Sequence, residues 1–157
     1  MAELLAGVTL KNRNGEELDA ATYLKGKVVG LYFSASWCPP CRAFTPILKQ
    51  FYEKMQLKHP EFEVIFVSRD RAAEDLQNYF ADHMGSWVYI PFGSEKIQEL
   101  LKQYEVKTIP SMRVIKPNGD VVVQDARTAI QEKCPLGQDI TEAVEDLYEE
   151  WLAFYES

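Results

Sequence analysis

Cysteine and histidine are scarce in this chain. Three cysteines and two histidines occur in 157 residues, too few for an oxidised framework of several bridges. Two of the cysteines, Cys38 and Cys41, are three positions apart. Only Cys134, His59 and His83 remain as further soft ligands, and none forms a second pair. A structural zinc site normally takes four such ligands, often as two paired spacings, so no metal is expected. Basic charge is also short. Seventeen Lys and Arg stand against 24 Asp and Glu, a net charge of −7. Phosphate binding needs a basic face, so nucleic acid is excluded as an expected partner. No apolar run approaches the length of a membrane span, and no terminus reads as a charged-then-apolar leader. Repeats and low-complexity tracts are missing as well, so residues 1–157 are expected to form a single domain. With 46% hydrophobic and 12% aromatic residues, the chain can bury a sizeable core.

The scarce cysteines stand at an informative place. Trp37-Cys38-Pro39-Pro40-Cys41-Arg42 follows the apolar run Val28-Val29-Gly30-Leu31-Tyr32-Phe33 and precedes a helical pattern. The run predicts a buried strand and the pattern an amphipathic helix, so Cys38 falls at a strand-to-helix junction. A helix N-terminus offers unpaired N–H groups and partial positive charge, both of which stabilise a thiolate. Cys41, one turn into the helix, can fold back onto Cys38 and close a small disulfide ring. Arg42 adds a positive charge that acts in the same direction. Pro39 and Pro40 lack N–H groups that a first turn leaves unpaired anyway. The pattern predicts a thiol–disulfide exchange site. A purely structural disulfide is the bland alternative, but so small a loop stabilises a fold little.

The periodicity along the chain predicts an alternation of strands and helices. A short strand is expected over 6–10, then an Asn14-Gly15 turn and a short helix over 18–24. Strand 28–34 leads into a helix with Phe44, Ile47, Leu48, Phe51, Tyr52 and Met55 on one face. Pro46 inside that helix removes one donor and predicts a kink. A buried strand is expected from Phe62 to Ser68. Asp70 is the expected N-cap of a helix with the stripe Leu76, Tyr79, Phe80 and Met84. A further helix starts near Ser94, with Ile97, Leu100, Leu101 and Tyr104 aligned. Met112 to Lys116 and Val121 to Gln124 form a predicted hairpin through Pro117-Asn118-Gly119-Asp120. The last helix starts at Asp139, which makes a capping box with Glu142. It carries Ile140, Val144, Leu147, Tyr148 and Trp151 on one stripe and acids opposite. Strand–helix–strand units require parallel neighbours, and the hairpin adds antiparallel ones. An α/β architecture follows, a central mixed β-sheet with helices on both faces. Cys38 then lies at the carboxyl end of a central strand, where such sheets place their sites.

Pro110 stands where a central strand should begin, an awkward place for a residue without a donor. A cis Ile109–Pro110 bond would explain it, since X-Pro bonds tolerate that form; a trans proline in a loop is the common alternative.

The residues Tyr32 to Arg42, with Phe44-Thr45-Pro46, Phe51-Tyr52, Phe62 to Ser68, Ile109-Pro110 and Ile115 to Gly119, resemble the thioredoxin superfamily. Within it they resemble the nucleoredoxin and tryparedoxin branch, most of all the small nucleoredoxin-like proteins. The likeness spans about residues 5–130. It implies a thioredoxin-like fold with Cys38 as nucleophile, Cys41 as resolving thiol and Pro110 as a cis-proline facing them. Trp37, Pro39, Pro40, Ile109 and Pro110 would then form the partner-binding surface, with Ile109 offering its backbone to an incoming peptide. The implied activity is protein-disulfide reduction without a cofactor, by a cytoplasmic (alternatively nuclear) monomer. Its partners would be disulfide-containing proteins and an unidentified thiol reductant. The alternative is a redox-sensitive binding protein of nucleoredoxin type. The chain departs from thioredoxin itself at Tyr32, which stands where a buried aspartate would. No acid occurs between Val28 and Trp37, and Tyr32 reads as a core aromatic. Arg69 replaces the tryptophan of parasite tryparedoxins, so their particular reductant is not implied. Cys134, in a polar segment, is read as an exposed and oxidisable thiol, with an inert bystander thiol as the favoured alternative, and His59 and His83 are expected to be structural or surface residues.

Overall fold

The computed structural model describes residues 4–156. Its centre is a pair of parallel strands, β3 (Val28–Ser34) and β4 (Phe62–Ser68), every residue of which is buried. Burial on both faces is why these strands read as continuous apolar runs rather than alternating ones. Their side chains sort by parity. Tyr32, Phe62, Val64 and Phe66 join one core, and Val29, Leu31, Phe33, Ile65 and Val67 join the other. Helices α2 (Pro39–Gln56), α3 (Ala73–His83), α5 (Ala126–Lys133) and α6 (Thr141–Glu156) supply the first core. Helices α1 (Ala20–Tyr23) and α4 (Glu95–Gln103) contribute to the second.

The sheet is completed by β1 (Thr9–Lys11), β2 (Glu17–Asp19), β5 (Val88–Tyr89), β6 (Ser111–Ile115) and β7 (Val121–Val123), in the order β2-β1-β5-β4-β3-β6-β7. β3, β4 and β5 run parallel, and the other pairings are antiparallel. The β6–β7 hairpin turns at Gly119, whose φ of 96° favours glycine.

Several expected elements shift. Residues 17–19 form a strand, with Thr9 opposite Asp19. The helix starts at Ala20, two residues later than expected, because Asp19 stays extended and its carboxylate accepts the Thr22 N–H at 3.1 Å. Helix α2 continues through Pro46 to Gln56. Asp70 does not cap α3; that place belongs to Ala72, without a side-chain cap, because the Asp70 carboxylate is held elsewhere. β6 starts at Ser111, just after Pro110. Helix α5 is an addition to the expected set. It buries only Ala126 and Ile130 and is capped by Asp125 accepting the Thr128 N–H, so its apolar stripe is too thin to read as periodicity.

The C-terminal helix packs as expected, with Val144, Leu147, Tyr148 and Trp151 buried. Asp139 accepts the Thr141 N–H and hydroxyl at 3.0 and 2.7 Å. His59 fastens the same helix: its Nε2 lies 2.9 Å from Glu145 and its ring stacks 4.3 Å from that of Tyr148. His83 is the last residue of α3, beside Tyr79. Cys134 is fully buried rather than exposed. It follows α5 directly and packs in the first core, and burial pushes its thiol pKa up to about 11. The polar neighbours that suggested exposure face outward, while the sulfur behaves as a small apolar group.

Candidate functional site

Strand β3 ends at Ser34, and four residues carry the chain to α2. Cys38 is the N-cap of that helix, in an extended conformation, and its Sγ accepts the Cys41 N–H at 3.3 Å. A sulfur takes the place that a serine or aspartate oxygen normally fills. Pro39 and Pro40 are the first helical residues, which costs no hydrogen bond there. Cys38 and Cys41 are joined as a disulfide with Cα atoms 5.2 Å apart. Exposure separates them: Cys38 retains 5% and Cys41 none. Both are buried, and Cys38 is the nearer of the two to the surface.

The expected neighbours are brought in to different degrees. The Ile109–Pro110 bond is cis. The Ile109 carbonyl oxygen lies 3.7 Å from Cys38 Sγ, and Ile109 packs against Ala35, Cys38 and Cys41. Trp37 is half exposed and donates its indole N–H to the Arg69 carbonyl at 3.2 Å. Pro39 and Pro40 are exposed. Arg42 directs its guanidinium to the Ser36 carbonyl at 3.3 Å, a hydrogen bond to the loop backbone six residues back.

Two groups of residues were not foreseen. The first is Asp70. Its carboxylate accepts the Ser36 N–H at 2.8 Å, the Ser36 hydroxyl at 2.5 Å and the Ser68 hydroxyl at 2.7 Å. β3 carries no acid, yet a carboxylate from the end of β4 fixes the loop two residues before Cys38. Parallel register makes this meeting: Ser34 pairs with Ser68, so two residues further on Ser36 faces Asp70. Strand register is the signal that predicts this contact.

The second group lies under α2. Thr45 donates its hydroxyl to the Cys41 carbonyl at 2.9 Å, and the phenols of Tyr32 and Tyr79 each lie 2.7 Å from Thr45 Oγ1. A hydroxyl has one proton. With that proton on the Cys41 carbonyl, both phenols donate to Thr45. Ser34 then donates to Tyr79 at 2.8 Å. Burial pushes the Tyr32 phenol pKa far up, so Tyr32 is a neutral core aromatic with its polar tip satisfied. Among the described residues, no group of three or more His, Cys, Asp or Glu could hold a metal ion.

A Thioredoxin-like family profile matches residues 26–121, which include the dithiol and the cis-proline. The chain belongs to the thioredoxin-like family. It is similar to mouse nucleoredoxin, 39% identical over 129 residues that make up 82% of this chain and 29% of that protein. It is equally similar to tryparedoxin of Trypanosoma brucei brucei, 39% identical over 84% of this chain and 90% of that one. A crystal structure of thioredoxin from Wuchereria bancrofti superposes with a TM-score of 0.79, at 43% identity, over 97% of this chain and 99% of that one. The chain spans about three-tenths of the length of the nucleoredoxin it matches. Cys38 and Cys41, joined as a disulfide at the start of α2, both lie within the matched residues.

Proposed function

We propose that this chain is a protein-disulfide reductase that cycles Cys38 and Cys41 between dithiol and disulfide. The observation that carries the reading is the division of labour at the start of α2. Cys38 is the less buried of the two sulfurs and receives an N–H from the helix it caps, an arrangement that favours its thiolate. The Cys38 thiolate attacks one sulfur of a partner disulfide and forms a mixed disulfide, and the partner's other sulfur leaves as a thiolate that takes up a proton. Cys41, once deprotonated, attacks Cys38. The Cys38–Cys41 disulfide forms, and the second partner sulfur departs. Two electrons have passed to the partner, and two thiols of an external reductant must return them. No cofactor enters the cycle.

In this reading Trp37, Pro39 and Pro40 form the exposed platform for the partner, and Ile109 and Pro110 the opposite rim, with the Ile109 backbone available to an extended segment. Arg42 supports the Cys38 thiolate through its charge and through the Ser36 peptide. Among the described residues no helix is long and apolar enough to cross a membrane. A reducing cytoplasm, or the nucleus, suits a pair that must be re-reduced, and a monomer suffices for the chemistry.

Insulin-disulfide reduction with a dithiol reductant tests the reading. Turnover should be abolished in Cys38→Ser, and Cys41→Ser should accumulate mixed disulfides on Cys38. Wild-type protein without turnover would favour the second reading, a binding protein of nucleoredoxin type whose affinity follows the state of the pair. The half-exposed Trp37 beside the dithiol is the feature that favours it. Equal partner binding by wild type and a Cys38/Cys41 double serine variant would remove that alternative.

A further inference from the structure

We infer that the cleft beside Trp37 is a subsite for an acidic side chain of the disulfide-bearing partner, and that Arg69 and Arg71 select for it. The inference rests on the reductase reading and adds a substrate preference to it. The loop after β4 and the segment before α4 enclose a cleft of about 460 Å³, with Arg69 and Arg71 on one wall and Phe92 and Ile97 on the other. It adjoins the dithiol through Trp37, the residue before Cys38. Arg71 places its guanidinium 5.4 Å from the Trp37 ring centroid, and the Trp37 indole is held by the Arg69 carbonyl. Stacking on an aromatic face leaves the edge donors of an arginine free for a carboxylate.

Guanidinium groups gather at this place although the chain as a whole is acidic. The protein carries −7, yet Arg42, Arg69 and Arg71 are all exposed around the active-site loop. Among the described residues, neither Arg69 nor Arg71 is in an ion pair. The cleft contains two acids. Asp70 keeps its charge while it accepts three hydrogen bonds from Ser36 and Ser68, and Glu95 lies in the first turn of α4. The two acids equal the two arginines in number, and neither forms an ion pair with them among the described residues. Two guanidinium groups free of ion pairs, linked to the active-site loop through Trp37, supply directed donors for a carboxylate on an otherwise acidic protein. Half-exposed Trp37 and Phe92 supply apolar contact on either side. The occupant these features fit is a partner segment with an Asp or Glu close to its reactive cystine and an apolar residue next to it.

Exposed charges of this kind act on encounter and affinity more than on chemistry. The discrimination should therefore appear in KM and weaken with salt. Two peptide disulfides of equal length, one with acidic and one with basic residues flanking the cystine, provide the probes. At low salt the wild type should show a KM about five- to tenfold lower for the acidic peptide, with similar kcat. Arg69→Glu/Arg71→Glu should invert that order, and Arg69→Lys/Arg71→Lys should largely keep it. Equal KM values for the two peptides in wild type, or a preference unmoved by charge reversal, would overturn the subsite. If wild type reduces neither peptide, the reductase reading fails by itself. The subsite is then decided by affinities for serine analogues of the peptides, which bind without reacting: tighter binding of the acidic analogue, lost on charge reversal, supports it, and equal binding refutes it.

Discussion

Asp70 receives both the backbone N–H and the hydroxyl of Ser36, at 2.8 and 2.5 Å. The Ser36 carbonyl in turn accepts from Arg42. The loop that presents Cys38 is thus held from both sides, by a carboxylate on its donors and a guanidinium on its acceptor. Charge-assisted bonds of this type contribute about 1.5–3 kcal/mol each at most.

Breaking this clamp should cost both stability and rate. Asp70→Asn keeps the shape but removes the charge and turns one acceptor into a donor. A loss of about 1–3 kcal/mol is expected in denaturant unfolding, with disulfide exchange slowed several-fold. Ser36→Ala should reproduce part of the loss, and the double variant should lose less than the sum. Strict additivity would mean that Asp70 acts through Ser68 rather than through the active-site loop.

The hydroxyl group beneath α2 bears on how Cys41 loses its proton. The Tyr32 and Tyr79 phenols both donate into Thr45, and Thr45 donates to the Cys41 carbonyl. A backbone carbonyl does not pass a proton on, so the chain ends there. The Cys41 proton is then expected to go to solvent water or to a more distant group, and turnover should rise with pH as the Cys41 thiolate fraction grows. Tyr32→Phe should lower stability by about 1 kcal/mol and leave the rate of mixed-disulfide resolution nearly unchanged. A large loss of resolution in a folded Tyr32→Phe protein would make Tyr32 a relay.

The three thiols should separate by exposure. In the reduced protein, alkylation at pH 6 should label Cys38 first and Cys41 more slowly. Cys134, buried and with its pKa pushed up to about 11, should react only on unfolding. Mass spectrometry of partially labelled protein reads the order, and early modification of Cys41 would reverse the roles assigned to the pair.

Glu63 is a second buried carboxylate, on β4 near the end of the strand away from the dithiol. It accepts the phenols of Tyr23 and Tyr52 and the Val64 N–H, at 2.5, 2.8 and 2.9 Å. Desolvation nevertheless raises its pKa, outweighing these bonds and the charge of Lys27. A carboxyl whose pKa is higher folded than unfolded binds its proton more tightly when folded. Its contribution to stability is full below the unfolded pKa and is lost as pH rises through the folded one. Glu63→Gln should therefore stabilise the protein at pH 7 and matter little near pH 4. Urea midpoints at the two pH values test this, and a variant destabilised at pH 7 would refute it.

Local pattern made the central strands and the main helices legible. β3 and β4 were readable because burial on both faces leaves a continuous apolar run, and α2, α4 and α6 because each carries a dense stripe. Helix α5 was not, since two buried residues do not make a stripe. At Asp70, an acid after a strand and before a helix has the form of an N-cap, but three better-placed donors on Ser36 and Ser68 compete for it. Cys134 misled for a related reason, since the polarity of its neighbours says nothing of where one small side chain points.

The sequence by itself determined the cysteine pair, because everything that brings Cys38 and Cys41 together lies within one strand end and one helical turn. Spacing, the two prolines and the helix start act over a few residues and need no distant partner. Tertiary structure decided what surrounds the pair. Asp70 reaches Ser36 across 34 positions, Tyr79 reaches Thr45 across 34, and Ile109 reaches Cys38 across 71. Such meetings depend on strand register and on which helix covers which face of the sheet, and the chain must close those long loops before any of these contacts forms.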